Sequence, residues 1–358
     1  MIASISSLAD LEFRSVTWRT SIGLAIDRRN ECFLEPVNEI TISDNCFAGI
    51  QYELFPNGAI KTNQCEFIKR LAGKIGVSHM APVRNPVSVD FFDPSNTPDD
   101  IIPYDTKDYQ SLTGSLIQIV KTRDDVRHLI SHLCSKNSNP TTGDYTKAIQ
   151  VSRYILSTCT LGRVYNSLTT DIHIYCDSAF AITENGLSTT AYTLSNGPDN
   201  APFLSYAKAQ NDVAPDPMTA EYIAAGSSIK QLAHFLQLAD NLGFRQEGQV
   251  EVILDCQFAI NLIVAPEITR KSRHTKSTHP YIREAKERNV IKIVLAPDMR
   301  CDVCTKIYVN STLEKKRDNL LNSNAISIPK STSRMTLVVY FNGRIHFNRR
   351  IHKSVKFN

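Results

Sequence analysis

The chain has 358 residues, room for two or three domains at about 100–200 residues each. Its 42% apolar and 21% charged residues are an ordinary globular balance, and 14 Gly with 16 Pro are too few for a fibrous or linker protein. The net charge of +4 neither demands nor excludes a nucleic-acid partner, and no apolar run approaches the roughly 18–20 residues of a membrane helix.

The N-terminus carries Asp10 and Glu12 where a secretory signal would be apolar, so the expected location is intracellular. The 9 cysteines are dispersed and odd in number, which reads as reduced thiols and not as a disulfide framework. Residues 1–107 mix short apolar runs with turn signals. The stretch from Asn85 to Pro103 is rich in Pro, Asp, Asn and Ser and reads as a linker.

Helical spacing begins at 108. Tyr109, Leu112, Leu116, Ile119 and Val120 recur at three and four, and Val126, Leu129, Ile130 and Leu133 repeat the pattern. Asn139 to Gly143 breaks it with a helix-start signal, and Tyr145, Ala148, Ile149, Ser152, Ile155 and Leu156 resume it. A small helical unit over 108–168 follows.

The period changes after 169. Asp171 to Asp177 alternates and is β-branched and aromatic, the mark of a strand. Thr189–Leu194 and Phe203–Tyr206 are two further strands. A long helix runs from Pro217 to Leu242 and stops at Gly243. Then come a strand at Val250–Leu254, a helix at Cys256–Ile263, a helix at Tyr281–Arg288 and a strand at Val290–Leu295. This order predicts an α/β layer with a mixed sheet. Residues 311–358 form a basic C-terminal tail, which reads as an electrostatic hold on a phosphate backbone or, equally, as a disordered end or edge hairpin.

Four carboxylates stand at places where an α/β sheet builds sites. Asp177 ends the first strand of the 169–310 region, and Asp255 follows the Val250–Leu254 strand. Glu221 lies in the first turns of the long helix, and Asp302 starts the element after the last strand. Strand ends and helix starts converge at one sheet edge. Four carboxylates there repel one another unless divalent cations occupy the cleft. Mg²⁺ takes oxygen ligands, and two such ions clamp the attacking and leaving oxygens of a phosphodiester displacement. The competing reading makes each Asp a helix cap. The pair Cys301 and Cys304 has zinc or redox spacing, but no second Cys/His pair accompanies it, so coincidence is favoured.

At this point residues 108–306 resemble the C-terminal part of a copia-type LTR-retrotransposon Pol polyprotein. Asp108 to Leu116 is similar to its "YRSLVGSLLY" segment, and Thr122 to Val126 to "TRPDI". Cys176-Asp177 resembles the start of "DADWA", Ala220 to Ala224 matches "AEYIA", and Asp255 to Ile260 resembles "DNQSAI". Arg273-His274 fall at the family's "KH", and Asp302 to Lys306 looks like "ADILTK". Weaker similarity reaches back to Phe47-Ala48-Gly49-Ile50-Gln51.

The resemblance implies a ribonuclease H-like mixed sheet flanked by helices, preceded by a reverse-transcriptase thumb or connection remnant. Residues 1–107 would be a partial reverse-transcriptase remnant and linker, 108–168 the connection unit and 169–310 the ribonuclease H-like domain. The implied activity is hydrolysis of the RNA strand of an RNA–DNA hybrid, read through phosphates and 2′-hydroxyls. Asp177, Glu221, Asp255 and Asp302 match the family's catalytic, metal-holding carboxylates. Two Mg²⁺ ions, replaceable by Mn²⁺, are the implied cofactors, with no small-molecule cofactor and no membrane partner. Gln257, Arg273 and His274 are the candidate substrate contacts, although His274 reads equally well as a solvated loop histidine. The partners are the hybrid and an upstream reverse transcriptase, in a cytoplasmic virus-like particle or the nucleus.

This sequence departs from the family where Ala179 replaces the second Asp of "DADW" and Cys256 replaces the Asn of "DNQ". No paired aspartates follow an apolar strand before Phe47, and Asp99-Asp100 and Asp124-Asp125 lack that setting. The chain is therefore expected not to polymerise by itself. A silent remnant that only binds nucleic acid or a Pol partner is the alternative to an active nuclease.

Overall fold

The computed structural model describes residues 24–26, 32–34, 46–55, 57–88, 91–92, 102–166, 171–183, 185–241, 246–264 and 279–323. Two short strands, β1 (Leu24–Ile26) and β2 (Cys32–Leu34), pair antiparallel. The next sheet has the order β3 (Cys46–Phe47), β4 (Ile50–Leu54), β5 (Ile60–Asn63) and β6 (Arg163–Tyr165), antiparallel throughout. The β3–β4 turn is Ala48-Gly49, both at positive φ (51° and 78°). That is the backbone a tight two-residue hairpin requires.

Helices α1 (Cys65–Lys74), α2 (Thr106–Ile119), α3 (Arg127–Ser135) and α4 (Thr142–Ser157) build one core. Their heptad-like apolar positions supply Ile68, Leu112, Leu116, Leu129, Leu133, Val151 and Ile155 to it. The start of α4 carries a capping box, in which Thr141 Oγ1 accepts from the Asp144 amide and Asp144 accepts from the Thr141 amide.

The second layer is a five-stranded mixed sheet. Strands β7 (Ile172–Ala179), β8 (Thr189–Asn196), β9 (Pro202–Ala209), β10 (Val250–Leu254) and β11 (Ile291–Leu295) lie in the order β11-β10-β7-β8-β9. The β7-β8-β9 run is antiparallel, and β7, β10 and β11 run parallel. The long helix α5 (Pro217–Asn241) covers one face with Tyr222, Ala225, Ile229, Leu232 and Phe235, packed on Ile174, Tyr192, Leu194 and Val252. Helices α6 (Gln257–Val264) and α7 (His279–Glu287) add Ala259, Ile263 and Ile282 to that core. The mixed α/β sheet with flanking helices predicted from the sequence is the architecture observed.

Three features differ from the sequence reading. Val87 and Phe91, inside the stretch read as a linker, are buried in the helical core. Strand β6, beyond the helices, pairs with β5 across the expected boundary at 107. Residues 311–321, read as the beginning of a basic tail, belong to helix α8 (Asn310–Leu321), because Leu313, Leu320 and Leu321 give it an apolar face. Leu313 and Leu320 enter the helical core alongside Ala191 of β8, Ala207 of β9, and Val303 and Cys304, so that core reaches onto the five-stranded sheet. The hairpin read at 335–347 lies outside the described residues.

Candidate active site

Central strand β7 is buried on both faces, and Asp177 is its sixth residue. The parallel register pairs Ile253 with Tyr175. Two residues further along both strands, Asp255 leaves β10 beside Asp177 on the same side of the pleat. On that face a small cluster of Tyr175, Ile253, Met299 and Cys301 packs the sheet against a 3₁₀ turn, Arg300–Cys304. The turn delivers Asp302.

The turn is tied down from outside. Arg300 donates through Nη1 to the carbonyls of Pro198 and Asn200 at 2.7 and 2.9 Å, and through Nη2 to Asn319 O at 2.6 Å. It thereby fastens the turn to the β8–β9 loop and to α8.

Among the described residues, Asp177, Asp255 and Asp302 each bring a carboxylate oxygen within 4.8 Å of the others. Asp177 is 1% exposed, whereas the Asp255 side chain is 30% exposed and opens the trio to solvent. Glu221 is not one of that trio. Its Oε1 accepts from the Ser178 amide at 3.2 Å, and its Oε2 is buried with no hydrogen-bond partner among the described residues. All four sequence-predicted carboxylates thus lie at one end of the β7–β10 pair, with Glu221 reaching it from α5.

Their electrostatics differ. Burial, followed by the charge of Asp177, pushes the Glu221 carboxyl up to about 8. Burial likewise raises Asp177, against the opposing pull of Lys306 and the Thr305 hydroxyl. For Asp302, burial is outweighed by hydrogen bonds from Lys306 and Lys316, and its pKa falls below the usual carboxylate range.

Three residues around the trio received no site role in the sequence reading. Thr305 donates its hydroxyl to Asp177 Oδ2. Lys306 Nζ lies 2.7 Å from Asp302 Oδ1, 3.4 Å from Asp177 Oδ2 and 4.0 Å from Asp255 Oδ2. Lys316, on α8, donates to Asp302 Oδ2 at 2.7 Å and to Asp298 Oδ1 at 2.8 Å. The i,i+4 spacing of Asp302 and Lys306 was visible in the sequence, but Lys316 sits in a segment read as tail.

The candidate substrate contacts fare differently. Gln257 is exposed at the start of α6 and donates to Asn261 Oδ1 at 3.0 Å, not to the trio. Arg273 and His274 lie outside the described residues. Cys301 and Cys304 are buried free thiols whose pKa burial raises, and Cys304 turns toward Asp124 O. They form no metal-ligand pair with a second couple among the described residues.

Asp124 and Asp125 are locked in a buried ion-pair network. Arg123 grips Asp125 with two bonds of 2.8 Å, and Arg163 grips Asp124 with bonds of 2.8 and 2.7 Å. Tyr154 donates to Asp125, and Ser205 of β9 donates to Asp124.

No family model matches the chain. It is similar to an uncharacterized mitochondrial protein of Arabidopsis thaliana, 25% identical over 149 residues, 41% of this chain and 60% of that protein. It is similar also to the retrovirus-related Pol polyproteins from the Arabidopsis thaliana transposons RE2 and RE1, at 23% and 22% identity. Both matches cover 73% of this chain and 18% of the polyprotein. The chain therefore spans under two thirds of each of these relatives. Among solved structures, the LC11 RNase H1 isolated from compost covers 43% of this chain and 95% of its own at 15% identity, with a TM-score of 0.28. A foamy viral protease–reverse transcriptase in complex with dsDNA covers 75% and 46% at 12% identity, with a TM-score of 0.42. The resemblance to retrotransposon Pol polyproteins read from the motifs thus has its counterpart in curated Pol relatives, at low identity but over most of the chain.

Proposed function

We propose that this chain carries a ribonuclease H-type nuclease that hydrolyses the RNA strand of RNA–DNA hybrids with divalent cations. The observation that carries the reading is the meeting of Asp177 and Asp255 on adjacent parallel strands with Asp302, within 4.8 Å of one another. The buried, unpartnered Oε2 of Glu221 supports the fit of a cation: a carboxylate oxygen out of water and without a donor is stable only if a proton or a metal meets it.

Asp177, Asp255 and Asp302 are the proposed ligand carboxylates. Glu221 joins them from α5, where it would complete the cation site and help to orient the attacking water. When bound, two Mg²⁺ or Mn²⁺ ions supply a clamp on the attacking and leaving oxygens of an in-line displacement. The protein holds the carboxylates within β7, just past β10 and on the 3₁₀ turn, and buries Asp177. Hybrid recognition is expected through phosphates and 2′-hydroxyls, with weak sequence preference. The longer Pol relatives make an upstream reverse transcriptase the proposed protein partner.

A second reading, a silent remnant that binds hybrid without cutting it, is favoured by one observation. Lys306 and Lys316 already occupy both oxygens of Asp302. Cleavage of a labelled hybrid by the full chain in Mg²⁺ or Mn²⁺, beside Asp255→Asn, separates the two. Activity lost in Asp255→Asn supports the nuclease. Hybrid bound but uncut by the folded wild type selects the remnant.

A further inference from the structure

The carboxylate trio is not electrically bare. The Lys306 ammonium lies 2.7, 3.4 and 4.0 Å from oxygens of Asp302, Asp177 and Asp255. One ammonium therefore faces all three carboxylates that the nuclease reading assigns to cations. Lysine offers three donors and one positive charge on a flexible four-carbon stem. A divalent ion needs the same lone pairs and brings twice the charge. Both cannot hold the same oxygens.

The surroundings allow the lysine to leave. Its side chain is 42% exposed, so the ammonium can reach water by rotating its own stem, without unpacking the core. Lys316 is a different case. It bridges Asp302 and Asp298 at 2.7 and 2.8 Å from the side of α8. Among the described residues, the Glu221 side of the cluster carries no lysine partner: Glu221 Oε1 takes an amide and Oε2 takes nothing. The two sides of the cluster are therefore unequal.

We propose that Lys306 is a built-in competitor for the cation position between Asp177 and Asp302, standing in for the ion in the cation-free chain and swinging to solvent when the ion binds. The inference rests on the nuclease reading. It assigns Lys306 a positioning and gating role and not a catalytic one. The Glu221 side should fill first, and the Asp302 side should fill only as Lys306 withdraws. The competition lowers apparent affinity by the fraction of chains in which the ammonium is already out.

The test uses the full chain and Mn²⁺ alone, with free Mn²⁺ followed by electron paramagnetic resonance. Lys306→Met is expected to bind the weaker Mn²⁺ about tenfold more tightly than wild type, while Lys306→Arg, which keeps the charge, stays near wild type. Lys306→Met should melt earlier than wild type in chelator and recover in Mn²⁺. A purely structural lysine would lower both melting points equally and leave the affinity unchanged, and that result overturns the proposal.

Amine labelling of the wild type, read by mass spectrometry, needs no variant and decides the matter if Lys306→Met does not fold. Lys306 labelling should rise several-fold on adding Mn²⁺. Bound Mn²⁺ with unchanged labelling overturns the Lys306 role and leaves the nuclease reading standing. No Mn²⁺ bound by wild type or by either variant overturns both. Mn²⁺ bound by Lys306→Met alone supports the competition in its strongest form.

Discussion

Arg163 of β6 holds Asp124 through two bonds of 2.8 and 2.7 Å, with both side chains almost fully buried. The same guanidinium donates to Phe203 O of β9 at 3.2 Å, and Ser205 of that strand donates to Asp124. The pair joins the small antiparallel sheet, the turn before α3 and the edge of the five-stranded sheet. Removing one member of such a pair strands the other charge in a site without water. Arg163→Met is expected to cost about 3–5 kcal/mol, read from urea unfolding. The double variant with Asp124→Leu should lose less than the sum of the two single losses, because it leaves no orphan charge.

Glu221 makes the cation-free protein sensitive to alkali. Its carboxyl is raised from 4.5 to about 8, first by burial and then by the charge of Asp177. A raised folded-state pKa means that the folded chain holds the proton more tightly than the unfolded chain does. The associated stability is full below about 4.5 and is lost as pH climbs through about 8. Melting temperature in chelator should therefore fall across that window, and Glu221→Gln should flatten the fall. Asp302, whose pKa is lowered, acts oppositely and in the acid range. A wild-type profile that is flat from pH 5 to 9 would sink the assignment.

Asp177 separates stability from activity. Burial raises its pKa, so its charge opposes folding at neutral pH in the absence of a cation. Asp177→Asn is expected to melt at or above wild type in chelator. Its hybrid cleavage should drop by more than the roughly 10–100-fold that loss of an outer-shell partner costs a metal site. Thermal unfolding and single-turnover cleavage of one preparation give both numbers.

Thr141 provides a control far from the chemistry. Its hydroxyl accepts from the Asp144 amide at 3.2 Å to start α4. Thr141→Ala should cost about 0.5–2 kcal/mol, seen as a lower urea midpoint at unchanged slope. Cleavage per folded molecule should be unaffected.

Much of the sheet layer was legible because its signals are local. Alternation marked β7, the long apolar stripe marked α5, and the step from strand to turn marked Asp255, whereas Asp177, expected at a strand end, lies within β7, which runs on to Ala179. The Arg273-His274 loop received a reading that falls outside the described residues. The partners of Asp302 were less accessible. Lys316 comes from α8, fourteen residues further on, and its role depends on how that helix docks. No periodicity encodes such a meeting. Asp124-Asp125 shows the same limit: the sequence sets the pair apart from a polymerase site but does not reveal that Arg163, on β6 beyond α4, lies beside it.

The placement of α8 has a consequence for synthesis. The helical core draws on residues from 68 to 155 and then again on Leu313 and Leu320, with the whole five-stranded sheet lying between in the chain. A ribosome adding about 5–20 residues per second needs roughly 7–30 s to pass from β6 to α8. Through that interval the early helices wait with part of their apolar surface uncovered. The sheet layer must emerge and close before the first-made layer can finish, so the two halves mature together instead of one after the other.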